Sequence, residues 1–260
     1  MTMGASALAL GGGGELAATA PDLVAARFPA PRRVLSDAAW NGGWREACAA
    51  ANHLMCAAAI DSAAAHATYC RQILVRHHLP PDTPLQLTAA PVTGGGCCQQ
   101  LVDGVRVTAY VSAGVRHNAV WAGDAAQYRE RTEAEYVPLS PGTINAILCI
   151  DARLADAAFP HVFTVVAEAK GSLLRACGVR SCYSRRLATG TGTDSTTVIA
   201  DPAAARAFST ASTHSELGMT IARTFRAALA EALRNDNLAP RHRTHATTAP
   251  AKTARSHHAF

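Results

Sequence analysis

Aromatic residues are scarce in this sequence, at 5 % of 260 positions, and charged residues make up only 17 %. A core must therefore be built from small and aliphatic side chains. Hydrophobic residues reach 49 %, so the chain is globular rather than disordered. No apolar run attains the roughly 18 residues of a membrane span, and no membrane-crossing helix is expected. The first twenty residues lack a basic leader, and glycines 11–14 break their apolar stretch, so they do not read as a signal peptide. There is no C-x-x-C and no H-E-x-x-H, and the adjacent His77 and His78 cannot both point one way. These spacings give no metal site.

The net charge of +5 is unevenly placed. Residues 234–260 carry Arg234, Arg241, Arg243, Lys252 and Arg255 against Asp236, a net +4, which leaves +1 for the remainder. A body so near neutrality has no electrostatic footprint for nucleic acid, and the basic end reads as a solvated, flexible tail. Cysteines stand at 48, 56, 70, 97, 98, 149, 177 and 182. Their spacing suits reduced, mostly buried thiols of a cytoplasmic protein.

The sequence divides into a disordered segment at 1–20, one folded domain at 21–233 and the tail at 234–260. Val34 to Ala39 reads as a strand entering a turn at Asn41-Gly42. The alanine-rich stretches 45–60 and 61–78 read as helices. Leu85 to Ala90, Val105 to Val111 and Ile144 to Ile150 read as strands, the second by its period of two, the third as a buried run. Residues 156–177 form a helix with Pro160 in its first turn and Gly178 as its stop. Thr213 and Glu216 form a capping box for a last helix. Mixed strands and helices predict an α/β or α+β fold, a layered sandwich of a mixed β-sheet packed by helices.

Four polar clusters end apolar elements. The loop 189–195 (Thr189, Gly190, Thr191, Gly192, Thr193, Asp194, Ser195) offers close backbone approach, hydroxyls and a carboxylate. No Gly-Lys-Ser/Thr follows it and no third glycine completes it, so it is neither a Walker A loop nor a dinucleotide fingerprint. In Pro141-Gly142-Thr143-Ile144-Asn145, Thr143 and Asn145 share one strand face, a hydroxyl beside a carboxamide that suits a nucleophile and an oxyanion donor. Glu168 and Lys170, two apart on a helix, face different ways. His214 lies at a helix start, where the dipole favours a neutral imidazole able to act as a base, with Glu216 beside it. A polar turn, a β-prone threonine, a charged helix face and a simple cap are the structural alternatives for the four clusters.

In order, D-A-A-W-N-G-G (37–43), T-A-A (88–90), S-A-G-x-x-x-N-A (112–119), G-T-I-N-A-I-L (142–148), A-E-A-K (167–170), A-T-G-T-G-T-D-S (188–195) and T-H-S-E-L-G (213–218) resemble the adenosylcobinamide amidohydrolases over roughly residues 30–230. The resemblance departs at Ser112, where that family usually has threonine. It implies hydrolysis of the aminopropanol amide of adenosylcobinamide to adenosylcobyric acid and 1-aminopropan-2-ol, in corrinoid salvage for coenzyme B12. It implies a corrinoid substrate in a broad cleft and no cofactor beyond the cobalt of that substrate. The catalytic candidates are Thr143, Asn145, Asp194, His214, Glu216, Glu168 and Lys170. The motif positions Asn41, Gly42, Asn118, Thr189, Gly190, Thr191, Gly192, Thr193 and Ser195 are the substrate-binding candidates.

The stretch 142–154 is also similar to G-S-I-I-V-V-V-A-T-D-A-P-L of self-processing aminopeptidases related to ornithine acetyltransferases. There the residue after the glycine is the nucleophile, a position that matches Thr143. Water activated by His214 or a carboxylate is the rival mechanism. A non-catalytic corrinoid carrier and a nucleotide-binding module are the other functional readings, the second disfavoured by the missing phosphate-binding lysine.

Overall fold

The computed structural model describes residues 7–55, 60, 62–127 and 142–236. In chain order the elements are β1 (Leu8–Ala9), β2 (Glu15–Ala20), β3 (Leu23–Ser36), β4 (Gly43–Leu54), α1 (Ala63–Arg76), β5 (Leu85–Thr88), β6 (Gly96–Val102) and β7 (Val105–Ala113). There follow β8 (Ala119–Val120), β9 (Ile144–Ile150), β10 (Arg153–Leu154), α2 (Ala158–Ala176), β11 (Gly190–Thr191), β12 (Ser195–Ala200), β13 (Ala207–Phe208) and α3 (Glu216–Asn235).

The long strand β3 organises one mixed sheet. Its first half pairs with β2 and its second half with β12, while β4 runs antiparallel along the other edge. From β12 the sheet continues through β9, β7 and β6, and from β4 it continues to β5. Pro29 and Pro31 fall where the β3–β4 register shifts, between Arg27 and Arg32. Proline has no N–H for a ladder, so it is placed where the ladder is already interrupted.

The sheet curls until its two limbs face each other. Along β9, Ile144, Ala146, Leu148 and Ile150 pack under the helices with Phe159 of α2 and Phe225 of α3. The alternate residues Ile147 and Cys149 pack instead against Leu16, Val24, Val34 and Ala50 of the opposing limb. Residues on the outer face of β3 and β4, including Leu23, Ala49 and Ala51, pack on Ile73 and Leu74 of α1. The layers therefore run helices α2 and α3, sheet, sheet, helix α1. This is an α+β sandwich, and it explains why β9 is apolar on both faces.

Three expectations need correction. Residues 45–54 are not helical: they form β4, whose Ala47, Ala49, Ala50 and Ala51 are all buried between layers. Tertiary packing overrides alanine's helix preference there, because only small side chains fit both faces of that strand. The stretch 61–78 does hold a helix, α1. Residues 7–20 are not a disordered lead-in, since β2 pairs with β3 and Leu16 is fully buried. The last helix is capped by Ser215, whose hydroxyl accepts from Gly218 N at 3.0 Å. Thr213 instead donates to Glu168 Oε2 at 3.1 Å. Most of the expected tail lies outside the described residues.

The strands expected at 85–90, 105–111 and 144–150 are found at Leu85–Thr88, Val105–Ala113 and Ile144–Ile150, and the helix expected over 156–177 at Ala158–Ala176. The strand expected over Val34 to Ala39 is the end of the much longer β3, which stops at Ser36. Strand β6 begins at Gly96, the last of three consecutive glycines, which carry no strand signal. A Cβ at Gly96 would sit 2.0 Å from Ala228 O of α3. Glycine alone lets that helix lie on β6. Gly96→Ala is expected to destabilise the fold by about 2–3 kcal/mol through overpacking, with an unchanged m-value in urea denaturation.

Candidate active site

Strands β9 and β12 run parallel, with Asn145 opposite Ser195. Their N-terminal ends therefore lie side by side, and they bring together Thr143, Asn145, Asp194 and Ser195 from segments 50 residues apart.

Asp194 is the hub. Its Oδ1 accepts from Ile144 N at 3.0 Å and from Thr191 Oγ1 at 2.5 Å. Its Oδ2 accepts from Thr191 N at 3.0 Å and from Lys170 Nζ at 2.5 Å. The Lys170 and Asp194 side chains are 15 % and 13 % exposed, so the ion pair is largely out of water. Gly190 makes room for it: a Cβ there would stand 2.4 Å from Asp194 Oδ2. With four donors on its two oxygens, Asp194 holds the loop, β9 and α2 together.

Thr143 sits just ahead of β9 and is 3 % exposed. Its hydroxyl lies 2.6 Å from Thr193 O and 2.9 Å from Asn145 Oδ1, both acceptors, which share its single proton. The shared face of Thr143 and Asn145 is thus as expected. The carboxamide's role is not: Asn145 Nδ2 is already donating to Asn52 Oδ1 at 3.0 Å and Leu87 O at 2.9 Å. It has no N–H left for an oxyanion. Asn52 in turn donates to Ser112 Oγ at 2.8 Å. This chain of fully buried amides and hydroxyls fills one end of the inter-sheet layer. Its satisfied hydrogen bonds offset the cost of burying polar groups.

The donors that remain converge on a backbone carbonyl. Gly142 O accepts from Asn118 Nδ2 at 2.9 Å and from Thr193 Oγ1 at 3.0 Å. Tyr183 Oη donates to Asn118 Oδ1 at 2.8 Å and fixes the amide's orientation. Gly142 has φ +126°, a conformation closed to other residues, and a Cβ there would meet Gly114 O at 2.8 Å. Two aimed side-chain donors are the geometry of an oxyanion hole. Pro141 lies outside the described residues.

Other candidates sit elsewhere or act as braces. His214 and Glu216 are exposed, and among the described residues no hydrogen bond or ion pair links their side chains to the Thr143 cluster. The base expected at His214 is therefore not placed on this site. Glu168 is exposed and receives Thr213, while Lys170 two residues on turns inward, as their spacing requires. Asn41 adopts φ +56° and donates to Pro81 O and Thr83 O, so the Asn41-Gly42 turn anchors a neighbouring loop. Thr189 accepts from Ala122 N at 2.9 Å. Gly192 N donates to Asn118 O, tying the glycine loop to the S-A-G-x-x-x-N-A segment.

Four participants were not singled out from sequence. Asp37 Oδ1 accepts from Ser195 Oγ at 2.8 Å and Thr196 N at 2.6 Å, so the D-A-A-W motif braces β12. Gln86 Nε2 donates to Ala146 O and Ser195 Oγ. Asn52 and Tyr183 complete the set. Asn52 did carry a signal, a lone carboxamide after a run of alanines. A shallow recess lined by Phe28, Arg32, Asp151 and Asp201 is at the other ends of β9 and β12, with the Arg32–Asp201 ion pair in its wall. It is not the expected corrinoid cleft.

An uncharacterized protein of Methanocaldococcus jannaschii is 29 % identical over 217 residues, covering 79 % of this chain and 83 % of its own. The family model described as adenosylcobinamide amidohydrolase matches residues 12–240. That match takes in β2 through α3 and every residue of the polar cluster just described, and so this chain belongs to the adenosylcobinamide amidohydrolase family.

Proposed function

We propose that the chain hydrolyses the aminopropanol amide of adenosylcobinamide, releasing 1-aminopropan-2-ol and leaving adenosylcobyric acid for corrinoid salvage in the cytoplasm. The supporting observation is the setting of Thr143: a buried hydroxyl beside a two-donor hole, next to an ion pair that family motifs build from Lys170 and Asp194. Amide cleavage needs a nucleophile, donors for the tetrahedral oxyanion and a group that returns a proton to the departing nitrogen. Thr143 is the nucleophile, and Asn118 Nδ2 and Thr193 Oγ1 are the donors. The chemistry runs on the chain's own side chains, with cobalt entering as part of the substrate.

Two things stand between the intact chain and this reaction. Thr143 is nearly sealed from solvent, and the atoms its hydroxyl touches are amide oxygens, which are not bases. Scission of the Gly142–Thr143 bond removes both obstacles. Thr143 Oγ attacks the Gly142 carbonyl carbon, and the oxyanion forms on the oxygen that Asn118 and Thr193 already hold. The C–N bond breaks as the hydroxyl proton passes to the nitrogen, which gives an ester. Water then cleaves that ester to a Gly142 carboxylate and a free Thr143 amine with its hydroxyl restored. The amine is the missing base, placed on the nucleophile's own residue. In turnover it takes the hydroxyl proton and delivers it to the leaving aminopropanol, and water hydrolyses the resulting acyl-enzyme.

Incubation of the purified chain with adenosylcobinamide should release aminopropanol. Thr143→Ala should lower that release by at least about 10³-fold, and Asn118→Ala by about 10²-fold, with Thr143→Ser retaining part of the rate. A protein that binds the corrinoid yet never frees aminopropanol is a carrier, and the reading as an enzyme is then wrong. Intact-mass spectrometry should show the wild-type chain as two pieces divided before Thr143, and Thr143→Ala as one. An uncut wild type that turns over normally would assign the base to another group and discard the scission step alone.

A further inference from the structure

Asp22, His53 and His77 meet on the far side of the sheet from Thr143. They come from three places: the turn between β2 and β3, the end of β4 and the residue that closes α1. His53 and Asn52 are successive residues of β4, so their side chains leave opposite faces. Asn52 joins the amide chain between the sheets. His53 enters the layer between β4 and α1, where it is 1 % exposed.

The local hydrogen bonding is incomplete in one particular way. His53 Nδ1 and His77 Nε2 are buried and reach no hydrogen-bond partner. Both face the Asp22 carboxylate, at 3.8 Å from Oδ2 and 3.7 Å from Oδ1, too far for a hydrogen bond. One ligand atom from each residue lies within 4.8 Å of the other two. Two imidazole nitrogens and a carboxylate oxygen thus converge on one place. A tetrahedral ion with bonds of roughly 2.0–2.1 Å would hold its ligands a little closer than this, so a small inward movement closes the site.

We infer that Asp22, His53 and His77 bind a divalent late transition-metal ion, Zn²⁺ by preference, at a site separate from the Thr143 centre. Two imidazoles and one carboxylate are a set that Zn²⁺ accepts, with water in the fourth position. Asp22 is 35 % exposed and leaves that position open to solvent.

The surroundings are built as a metal site requires. His53 Nε2 is 2.8 Å from Tyr69 Oη, an outer hydrogen bond that can keep the Nε2 proton and turn the Nδ1 lone pair inward. Arg27 holds the carbonyl oxygens of His77 and His78, at 2.8 and 3.2 Å, and so fixes the loop that carries His77. His77 caps α1 at its C-terminal end, where the helix dipole favours a cation. The sequence does not show the pair, because the adjacent histidines are His77 and His78, whereas the partner His53 is 24 residues earlier, on β4.

The full chain, stripped with EDTA and desalted, is to be titrated with Zn²⁺ against a chromophoric chelator and with Co²⁺ by visible d–d absorption. About one equivalent per chain should bind, with a tetrahedral Co²⁺ spectrum and a higher Tm. His77→Gln and Asp22→Asn should each weaken binding by at least about 100-fold, and Tyr69→Phe by about 10-fold. All three positions lie outside the Thr143 cluster, so aminopropanol release is a separate readout. Absence of stoichiometric binding overturns the inference, and so does a His77→Gln protein that folds by circular dichroism and keeps wild-type affinity. Should the variants fail to fold, ¹⁵N shifts of the wild-type imidazoles decide it: Zn²⁺ must move His53 Nδ1 and His77 Nε2, and unmoved signals refute the site.

Discussion

The clamp on Asp194 is the interaction from which the site's geometry follows. One carboxylate accepts from a strand N–H, a loop N–H, a loop hydroxyl and a helix ammonium. Each donor belongs to a segment distant from at least one other in the chain, so the clamp fixes β9, the glycine loop and α2 relative to one another. A lysine–carboxylate pair this far out of water is costly to form and costlier to break, because the partner left behind is a buried uncompensated charge. Removing one member of such a pair typically costs about 3–5 kcal/mol. The backbone hydrogen bonds are what make the arrangement affordable: they supply Asp194 with fixed dipoles in place of solvent. The glycine at 190 belongs to the same constraint, since any side chain there would collide with the carboxylate.

Around this clamp the interior is divided by polarity. Between the two limbs of the sheet, one end is packed with Ile147, Cys149, Tyr110 and Ile199. The other end holds Thr143, Asn145, Asn52, Ser112 and Gln86, all at most 3 % exposed. Strand alternation produces the division at little cost. In β9 the residues facing the opposing limb are Asn145, Ile147 and Cys149, so a single substitution of amide for aliphatic marks where the apolar core stops. Most of the amide network is satisfied, which is how a buried polar end avoids destabilising the fold. The described cysteines are free, but they are not mostly buried as the sequence suggested: Cys97 and Cys149 join this apolar part and Cys70 of α1 packs against β3 and β4, while Cys177 and Cys182 are exposed. Burial pushes the Cys70 and Cys97 thiols up to about 12, so these act as small hydrophobes.

How much of this could be read from sequence depended on whether the signal was local. β7 alternates cleanly, β9 is an unbroken apolar run, and α2 has a periodic face with a glycine stop, so each was legible. β4 was not, because its alanines favour a helix in isolation and only the sandwich makes them a strand. β2 was set aside with the whole of residues 1–20, because the glycines at 11–14 break the apolar stretch there; its pairing with β3 is long-range and leaves no local signal. Of the candidate site residues, the glycine loop, Thr143 and Lys170 come together in one polar cluster, and hydroxyls, glycines and a lysine at motif positions are a local signal. His214 and Glu216, named from a helix-start pattern, are exposed, and among the described residues no hydrogen bond or ion pair joins their side chains to that cluster. Asn52, Gln86 and Tyr183 contribute through pairings 60 or more residues apart, and no spacing rule reaches that far.

Strand β4 is where these observations join. It pairs with β3 along most of its length, which also pairs with β12, so its position is tied to the ladder that carries Ser195. At its far end Asn52 supports the amide chain that reaches Thr143 through Asn145, while His53 faces away toward α1. A ligand held on the His53 side would therefore act on the Thr143 side only by restraining the strand, since no side chain passes through it. A restraint of that kind narrows the range of positions available to Asn52, and hence to Asn145 and the Thr143 hydroxyl it orients, without altering the chemistry at the hydroxyl. For a hydroxyl whose single proton is shared between two acceptors, the placement of Asn145 Oδ1 decides which acceptor keeps that proton. Positional restraint is thus the physical currency in which the two faces of β4 can communicate.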